Sequence, residues 1–337
     1  MLYDFLRTVT NNNRQLKVVI TAGNHDSGAR LEAPSPILEC FNIIIRGTVH
    51  RTTEGDINFE NLIIPLSNDT CCLAVPYLRQ GDYPTAESYS EGIKAMYTRL
   101  IEIAREKYRY IVAMGHLHAS GSILSTDDNS ERIIIGGLDN VDITSIADNV
   151  NYIALGHLHK AQSVSGKDNI RYSGAPLPMS FAERKNQQSV TLVTLDKEVT
   201  STEKLIFETP AKLLSIPTEP QPLSQVLEAI NNLPMGDVTE ASPYLEIRVL
   251  VNGPEPSMRQ QIEQALEGHS VRLTRIEAVA ERGENRQATP LTYDELKKTD
   301  PMTLADDYYR RHYNEKEMPA TLKNMLMQVI SEIEREE

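Results

Sequence analysis

Three short apolar runs in this chain end in the same way, in a glycine followed at once by a histidine-bearing turn. Leu16-Lys17-Val18-Val19-Ile20-Thr21 leads into Gly23-Asn24-His25-Asp26. Tyr110-Ile111-Val112-Ala113-Met114 leads into Gly115-His116-Leu117-His118, and Tyr152-Ile153-Ala154-Leu155 into Gly156-His157-Leu158-His159. Short apolar or β-branched runs bounded by glycine predict strands. Each motif then lies on a loop at the carboxyl end of a strand, where open α/β sheets place function. Of the eight histidines, only His50, His269 and His312 fall outside these motifs.

The residue types suit metal and phosphate chemistry. Gly23 permits a tight turn, and Asn24 offers a neutral carboxamide oxygen to a hard cation. His25 can act as a general acid or bind phosphate, with Asp26 close enough to orient the imidazole. A Gly-Asn pair alone reads equally as an ordinary turn. The two Gly-His-Leu-His motifs shift the balance, because residues i and i+2 of a strand project to one side. His157 and His159 can therefore reach one cation cluster, and neutral imidazole is a good ligand for manganese, iron or zinc. A lone histidine is ordinarily a satisfied core or surface residue; five in three motifs, each after an apolar strand, call for a different explanation.

Periodicity supplies the rest of the organisation. Leu2 to Arg14 predicts a helix, Ile44 to Cys72 a β-hairpin region, and Ser88 to Lys107 a helix, with a proline-marked loop around Pro76 and Pro84. Further strands are predicted at Ile133-Ile134-Ile135, Ile170-Arg171-Tyr172 and Ser189 to Leu195. A first domain ends near Phe207, and Pro210, Pro217, Pro220 and Pro222 read as a linker or extended crossover. Then come a helix (Leu223 to Leu233), a strand (Tyr244 to Val251), a helix (Ser257 to Leu266) and a strand (Val271 to Val279), a small α+β unit. From Thr292 onward, Leu296, Met302, Leu304, Tyr308 and Tyr309, then Leu322, Met325, Leu326, Val329 and Ile330, give a helical pair with an apolar stripe. That stripe suits packing on the chain's own domain or docking a partner. The expected domains are 1–207, 208–288 and 289–337.

Composition excludes several classes. The 337 residues carry 34 basic and 47 acidic side chains, a net charge of −13 with histidine neutral. The chain's own field therefore does not attract polyanions, and any nucleic-acid contact is local or shared with a partner. Tryptophan is absent and aromatics are 6%, which argues against long base-stacking platforms. Cys40, Cys71 and Cys72 form no C-x-x-C pair, so neither a disulfide framework nor a structural zinc site is expected. No apolar run approaches the ~20 residues of a membrane helix, and Met1 to Arg7 lacks the order of a signal peptide, so a cytoplasmic location is expected.

Four stretches resemble the SbcD nuclease subunits, a family of calcineurin-like metallophosphoesterases. They are Val19 to Ser27, Ala113 to Leu117, Asn151 to Gln162, where the family more often has aspartate in place of Asn151, and Arg171-Tyr172-Ser173-Gly174-Ala175-Pro176-Leu177-Pro178-Met179-Ser180-Phe181. The last is the most specific to SbcD. Similarity extends over nearly the whole chain and is clearest over residues 16–195.

The resemblance implies a four-layer α/β phosphoesterase domain, a small α+β capping domain that positions DNA, and C-terminal helices that bind an SbcC-type ATPase. It implies two divalent metal ions, manganese by family habit, held ~3.5–4 Å apart. Asn24, His116, His157 and His159 would be metal ligands, His25 and Asp26 catalytic, and His118, where the family usually has a non-ligand, second shell. The implied activity is ATP-regulated exonuclease and endonuclease cleavage of DNA ends and hairpins, for repair, replication and recombination, by a homodimer within a heterotetramer. The family also opens with Asp-x-His and Gly-Asp motifs, absent upstream of Gly23. Two strand-plus-helix units, ~60 residues at ~30 each, would precede this point, so the expectation is an N-terminally truncated reading of a longer protein. Two alternatives accompany it, an inactive accessory subunit and a small-nucleotide phosphodiesterase.

Overall fold

Helix α1 (Leu2–Asn12) turns its buried residue, Leu6, onto two parallel strands, β1 (Val18–Thr21) and β2 (Ile43–Arg46). In the computed structural model, which describes residues 1–123, 140–196, 199–253, 255–280, 301–312 and 317–327, the two short helices α2 (Gly28–Glu32) and α3 (Ser35–Leu38) join the same face. Leu6, Ile43 and Ile45 pack there with Val18, Ile20, Leu31 and Leu38. Alternation along the strands sends the next residues the other way, so Val19 and Ile44 meet Ile64, Cys72, Ala74 and Met114 of a second sheet.

That sheet has six strands: β3 (Ile63–Pro65), β4 (Thr70–Ala74), β5 (Tyr110–His116), β6 (Tyr152–Gly156), β7 (Gln162–Val164) and β8 (Lys167–Tyr172). The order is β3-β4-β5-β6-β8-β7. The four central strands are parallel, and β3 and β7 flank them antiparallel. Helix α4 (Tyr89–Arg105) covers the opposite face with Ile93, Met96, Tyr97, Leu100, Ile101 and Ala104, all buried against Cys71, Leu73, Ile111 and Ala113. It starts where the sequence places it, because the Ser88 hydroxyl accepts the Glu91 N–H at 3.2 Å and caps an otherwise orphan donor. Burying a Leu or Ile side chain contributes ~1.5–3 kcal/mol, so this face is the main stabilising layer. A short helix, α5 (Thr144–Ala147), adds Ile146 and Ala147 to it.

Two expectations need correction. Only the second half of Ile44 to Cys72 is a hairpin, β3 with β4; β2 instead pairs in parallel with β1, from which a helical segment separates it. The prolines after Phe207, expected in a linker or extended crossover, are in part strand residues. Pro217 and Pro220 lie within β11 (Leu213–Gln221), an edge strand whose register breaks between Ile216 and Gln221, and an edge is where a residue without an N–H is tolerated. Periodicity also gives no sign of β10 (Val199–Ile206), which pairs antiparallel with β9 (Ser189–Asp196). The expected strand at Ile133-Ile134-Ile135 lies outside the described residues.

After β11, α6 (Leu223–Asn231), β12 (Tyr244–Val251), α7 (Met258–Ala265) and β13 (Arg272–Ala280) follow closely the segments expected. Strands and helices alternate and the sheet β11-β12-β13 is wholly parallel, so the unit is β-α-β-α-β rather than segregated α+β. Its own core comprises Val226, Ile230, Leu233, Leu245, Ile247, Val249, Ile262 and Val271. Across the strands, Arg275 pairs with buried Glu246 at 3.0 Å and Arg248 with Glu277 at 2.9 Å. Residues Met1–Ala280 form one compact unit. The described residues beyond it are helix α8 (Pro301–His312) and a helical stretch at 320–327, linked by an ion pair between Lys323 and Asp306 at 2.9 Å. Leu296, Val329 and Ile330 of the expected apolar stripe lie outside the described residues. Among those described, no helix is long and apolar enough to cross a membrane.

Candidate metal centre

Strands β1, β5 and β6 present their carboxyl ends side by side, and the three motifs meet there. His116 is the last residue of β5, and His157 follows the last residue of β6. Their rings lie 5.4 Å apart, and the His118 ring is 6.4 Å from that of His157. The alternation predicted for His-Leu-His holds in both copies: Leu117 and Leu158 are each 3% exposed, while the flanking histidines stay partly accessible. From β1, the Asn24 side-chain oxygen lies 2.9 Å from His116 Nε2.

The glycines of the motifs have a steric role here. A Cβ on Gly23 would stand 2.6 Å from His116 Cε1, and one on Gly156 would stand 2.9 Å from His116 Nδ1. The imidazole of His116 therefore lies in a slot between two glycines from separate strands. Tyr77 closes it edge-on at 6.1 Å between ring centres. His157 itself has a φ of 106°, a backbone region that costs a non-glycine residue roughly 1–3 kcal/mol and is found mostly at functional sites.

Burial sets the charge state. It pushes the His116 imidazole down to about 4, with His157 adding to the effect and the Asp26 carboxylate opposing it. Burial likewise brings His157 down to about 4, helped by His118, His159 and His25. Both rings are neutral at pH 7, as ligation requires. His25 is exposed at the mouth, close enough to contribute to the lowering at His116 and His157. The Asp26 carboxylate accepts the Gly23 N–H at 2.7 Å, which closes the turn.

The stretch from Arg171 to Phe181 braces the second and third motifs. The Tyr172 hydroxyl, fully buried, donates to the Leu117 carbonyl at 2.8 Å and accepts the Ala119 N–H at 2.9 Å, gripping the chain on both sides of His118. Gly174, at φ 84°, runs so close to His159 that a Cβ would lie 2.7 Å from the His159 carbonyl oxygen, which accepts the Ala175 N–H at 2.9 Å. Asn151 ties β6 to β5 by accepting the Ile111 N–H at 2.9 Å. Sequence reasoning missed Glu183, which is 2% exposed and contacts His159 Nδ1 at 2.8 Å. No periodicity marks it, because it ends a three-residue turn.

The donor set fits a divalent cation in chemical type. It combines neutral imidazoles with a carboxamide oxygen, one histidine is backed by a carboxylate, and His118 Nε2 is buried without a hydrogen-bond partner, all features of imidazole-rich sites. Among the described residues, however, no group of three or more His, Cys, Asp or Glu side chains is arranged to hold a metal ion by itself. Any cation here would need further oxygen donors.

Comparison with known proteins gives the family of the chain. Residues 210–313 match the family described as "Type 5 capsule protein repressor C-terminal domain", SbcD_C. The chain is 30% identical over 322 residues to the SbcD subunit of the nuclease SbcCD from Rhodobacter capsulatus, a match covering 90% of this chain and 78% of that protein. The SbcD subunits of Escherichia coli and Bacillus subtilis are 26% and 28% identical, over 52% and 57% of this chain and 46% and 50% of their own length. With histidine motifs converging on one site and a match of this extent, the chain belongs to the SbcD family of SbcCD nuclease subunits.

Proposed function

We propose that this chain is the nuclease subunit of an SbcCD-type complex, a metal-dependent phosphodiesterase acting on DNA ends and hairpins with an SbcC-type ATPase. The observation that carries this reading is the convergence of Asn24, His116, His118 and His157 at the ends of β1, β5 and β6, with His25 at the mouth. Asn24, His116, His157 and His159 are assigned to two divalent cations, manganese by family habit, with the remaining positions open to water and phosphate oxygens. When bound, such a pair supplies Lewis-acid activation for in-line phosphodiester hydrolysis. His25 is assigned to contact the scissile phosphate or to protonate the leaving oxygen. The two glycines flanking His116 leave the room its ring occupies.

The wider organisation follows the same reading. Three successive cores, between helices and β1–β2, between the two sheets, and between the larger sheet and α4, support a four-layer phosphoesterase domain over 1–207. The separate core after β11 supports a capping domain over 208–288, and α8 lies within the partner-binding segment assigned to 289–337. The acidic net charge fits a subunit that relies on its ATPase to hold DNA. The second reading, an inactive accessory subunit, draws on the absence of a three-ligand acidic or histidine group among the described residues.

The test uses the full chain, with equilibrium dialysis against manganese and digestion of linear duplex DNA. His25→Ala is expected to retain manganese and to lose ~10²–10⁴-fold in cleavage rate. Undiminished cleavage by that variant rejects the assigned role of His25. A wild-type chain that takes up no manganese and cuts no DNA establishes the accessory reading instead.

A further inference from the structure

Glu183 is a carboxylate almost wholly removed from water, at 2% exposure, at the end of the turn Phe181–Glu183. Both of its oxygens have partners. Oε1 lies 2.8 Å from His159 Nδ1, and Oε2 accepts the Met179 N–H at 2.9 Å. A buried carboxylate persists only where hydrogen bonds replace its hydration, so this contact is a built arrangement, unlike a surface ion pair. Its direction is fixed. An ionised carboxylate only accepts, so the proton between the two groups is carried by Nδ1, and in the neutral ring the lone pair is on Nε2. The opposite tautomer would set two acceptors face to face at 2.8 Å.

We infer that Glu183 is a positioning residue that holds His159 in its metal-ligating tautomer and orientation. This rests on the assignment of His159 to the cation site proposed above. It also gives the segment Arg171 to Phe181 a physical task. Gly174 passes against the His159 backbone, Ala175 donates to its carbonyl, and the arch then returns through Met179 to deliver the carboxylate to the ring. His159 is thus gripped by backbone on one side and by side chain on the other. Histidine ligands commonly donate their second ring N–H to such a carboxylate, and loss of that partner costs ~10–100-fold in metal affinity.

Two measurements on the full chain test the inference. Long-range ¹H–¹⁵N NMR of the metal-free protein at pH 8 reads the His159 tautomer directly, and protonation on Nδ1 is expected. Protonation on Nε2 overturns the inference, whether or not any metal binds. The second measurement is manganese affinity of Glu183→Gln. Its carboxamide replaces one acceptor oxygen by a donor, so it can serve both His159 and Met179 only when His159 takes the opposite tautomer, with the proton on Nε2. A ~10–100-fold weaker affinity is expected, with a mixed His159 tautomer and Glu183→Asp recovering part of the loss. Unchanged affinity and tautomer in Glu183→Gln overturn the inference. Should the glutamine variant fail to fold, the wild-type tautomer still decides. If the wild-type chain has the Nδ1–H tautomer but takes up no manganese, the cation assignment of His159 fails while the hold of Glu183 on the ring stands.

Discussion

Replacing Tyr172 by Phe removes one oxygen atom from the centre of the larger core and leaves the ring in place. That oxygen serves two backbone groups, the Leu117 carbonyl at 2.8 Å and the Ala119 N–H at 2.9 Å, and the side chain is fully buried. Water therefore cannot substitute without opening the core. Each buried polar group left without its partner costs ~1–3 kcal/mol, so the pair predicts a loss of about 2–6 kcal/mol. The loss is local as well as global, because the two groups bracket His118 and adjoin His116. Hydrogen exchange at the Ala119 amide is the sharpest assay. At ~1.4 kcal/mol per tenfold, protection of that amide should fall by roughly 30-fold or more, with a lowered denaturant midpoint for the chain. An Ala119 amide equally protected in Tyr172→Phe, with a midpoint shift worth under about 0.5 kcal/mol, would refute the reasoning.

Other expectations follow from the same packing. His116 and His157 should stay neutral down to about pH 4, as read by ¹H–¹³C NMR. The unfolded imidazole titrates near ~6.5, so the unfolded state binds more protons between these values. Stability should therefore fall as pH drops from about 6.5 to about 4, by on the order of 1–2 kcal/mol per histidine after allowing for solvent screening. A denaturant midpoint that is flat across this range would contradict it. Gly23→Ala should cost ~1–3 kcal/mol in thermal or denaturant stability and weaken manganese binding, because its Cβ would displace the His116 ring. Burial lifts the Cys71 thiol to about 11 and the Cys72 thiol to about 12, while Cys40 is exposed. Titration with a thiol reagent at pH 8 should thus count one reactive thiol in the native chain and three after denaturation. At His157, glycine should be better tolerated than alanine by ~1 kcal/mol in the same unfolding assay, since the positive φ remains strained for alanine.

What could be read in advance depended on the range of the interactions involved. Helix α4 was legible from its periodicity, and β5 and β6 from their short apolar runs, because these signals are local. The inward leucine between paired histidines was equally legible, since strand alternation has period 2. Partner choice was not. Ile43–Arg46 has the same apolar character whether it pairs with β1 or with β3, and only the tertiary fold decides. The prolines of β11 misled, because proline reports a missing N–H and an edge strand does not require it. In the site, the histidines announced themselves by repetition. The parts that hold them, Glu183, the Tyr172 hydroxyl and the slot between Gly23 and Gly156, emerge only when distant segments meet.

That slot also binds the history of the three motifs together. Gly23, His116 and Gly156 come from three separate segments, yet they share one volume, so neither glycine can grow alone. A side chain gained at either glycine needs a smaller residue at position 116 first, and a smaller residue there discards the imidazole for which the space is kept. Changes at the three positions should be strongly non-additive. A lineage that once gave up the imidazole and filled the slot from one side would need two coordinated reversals to recover it.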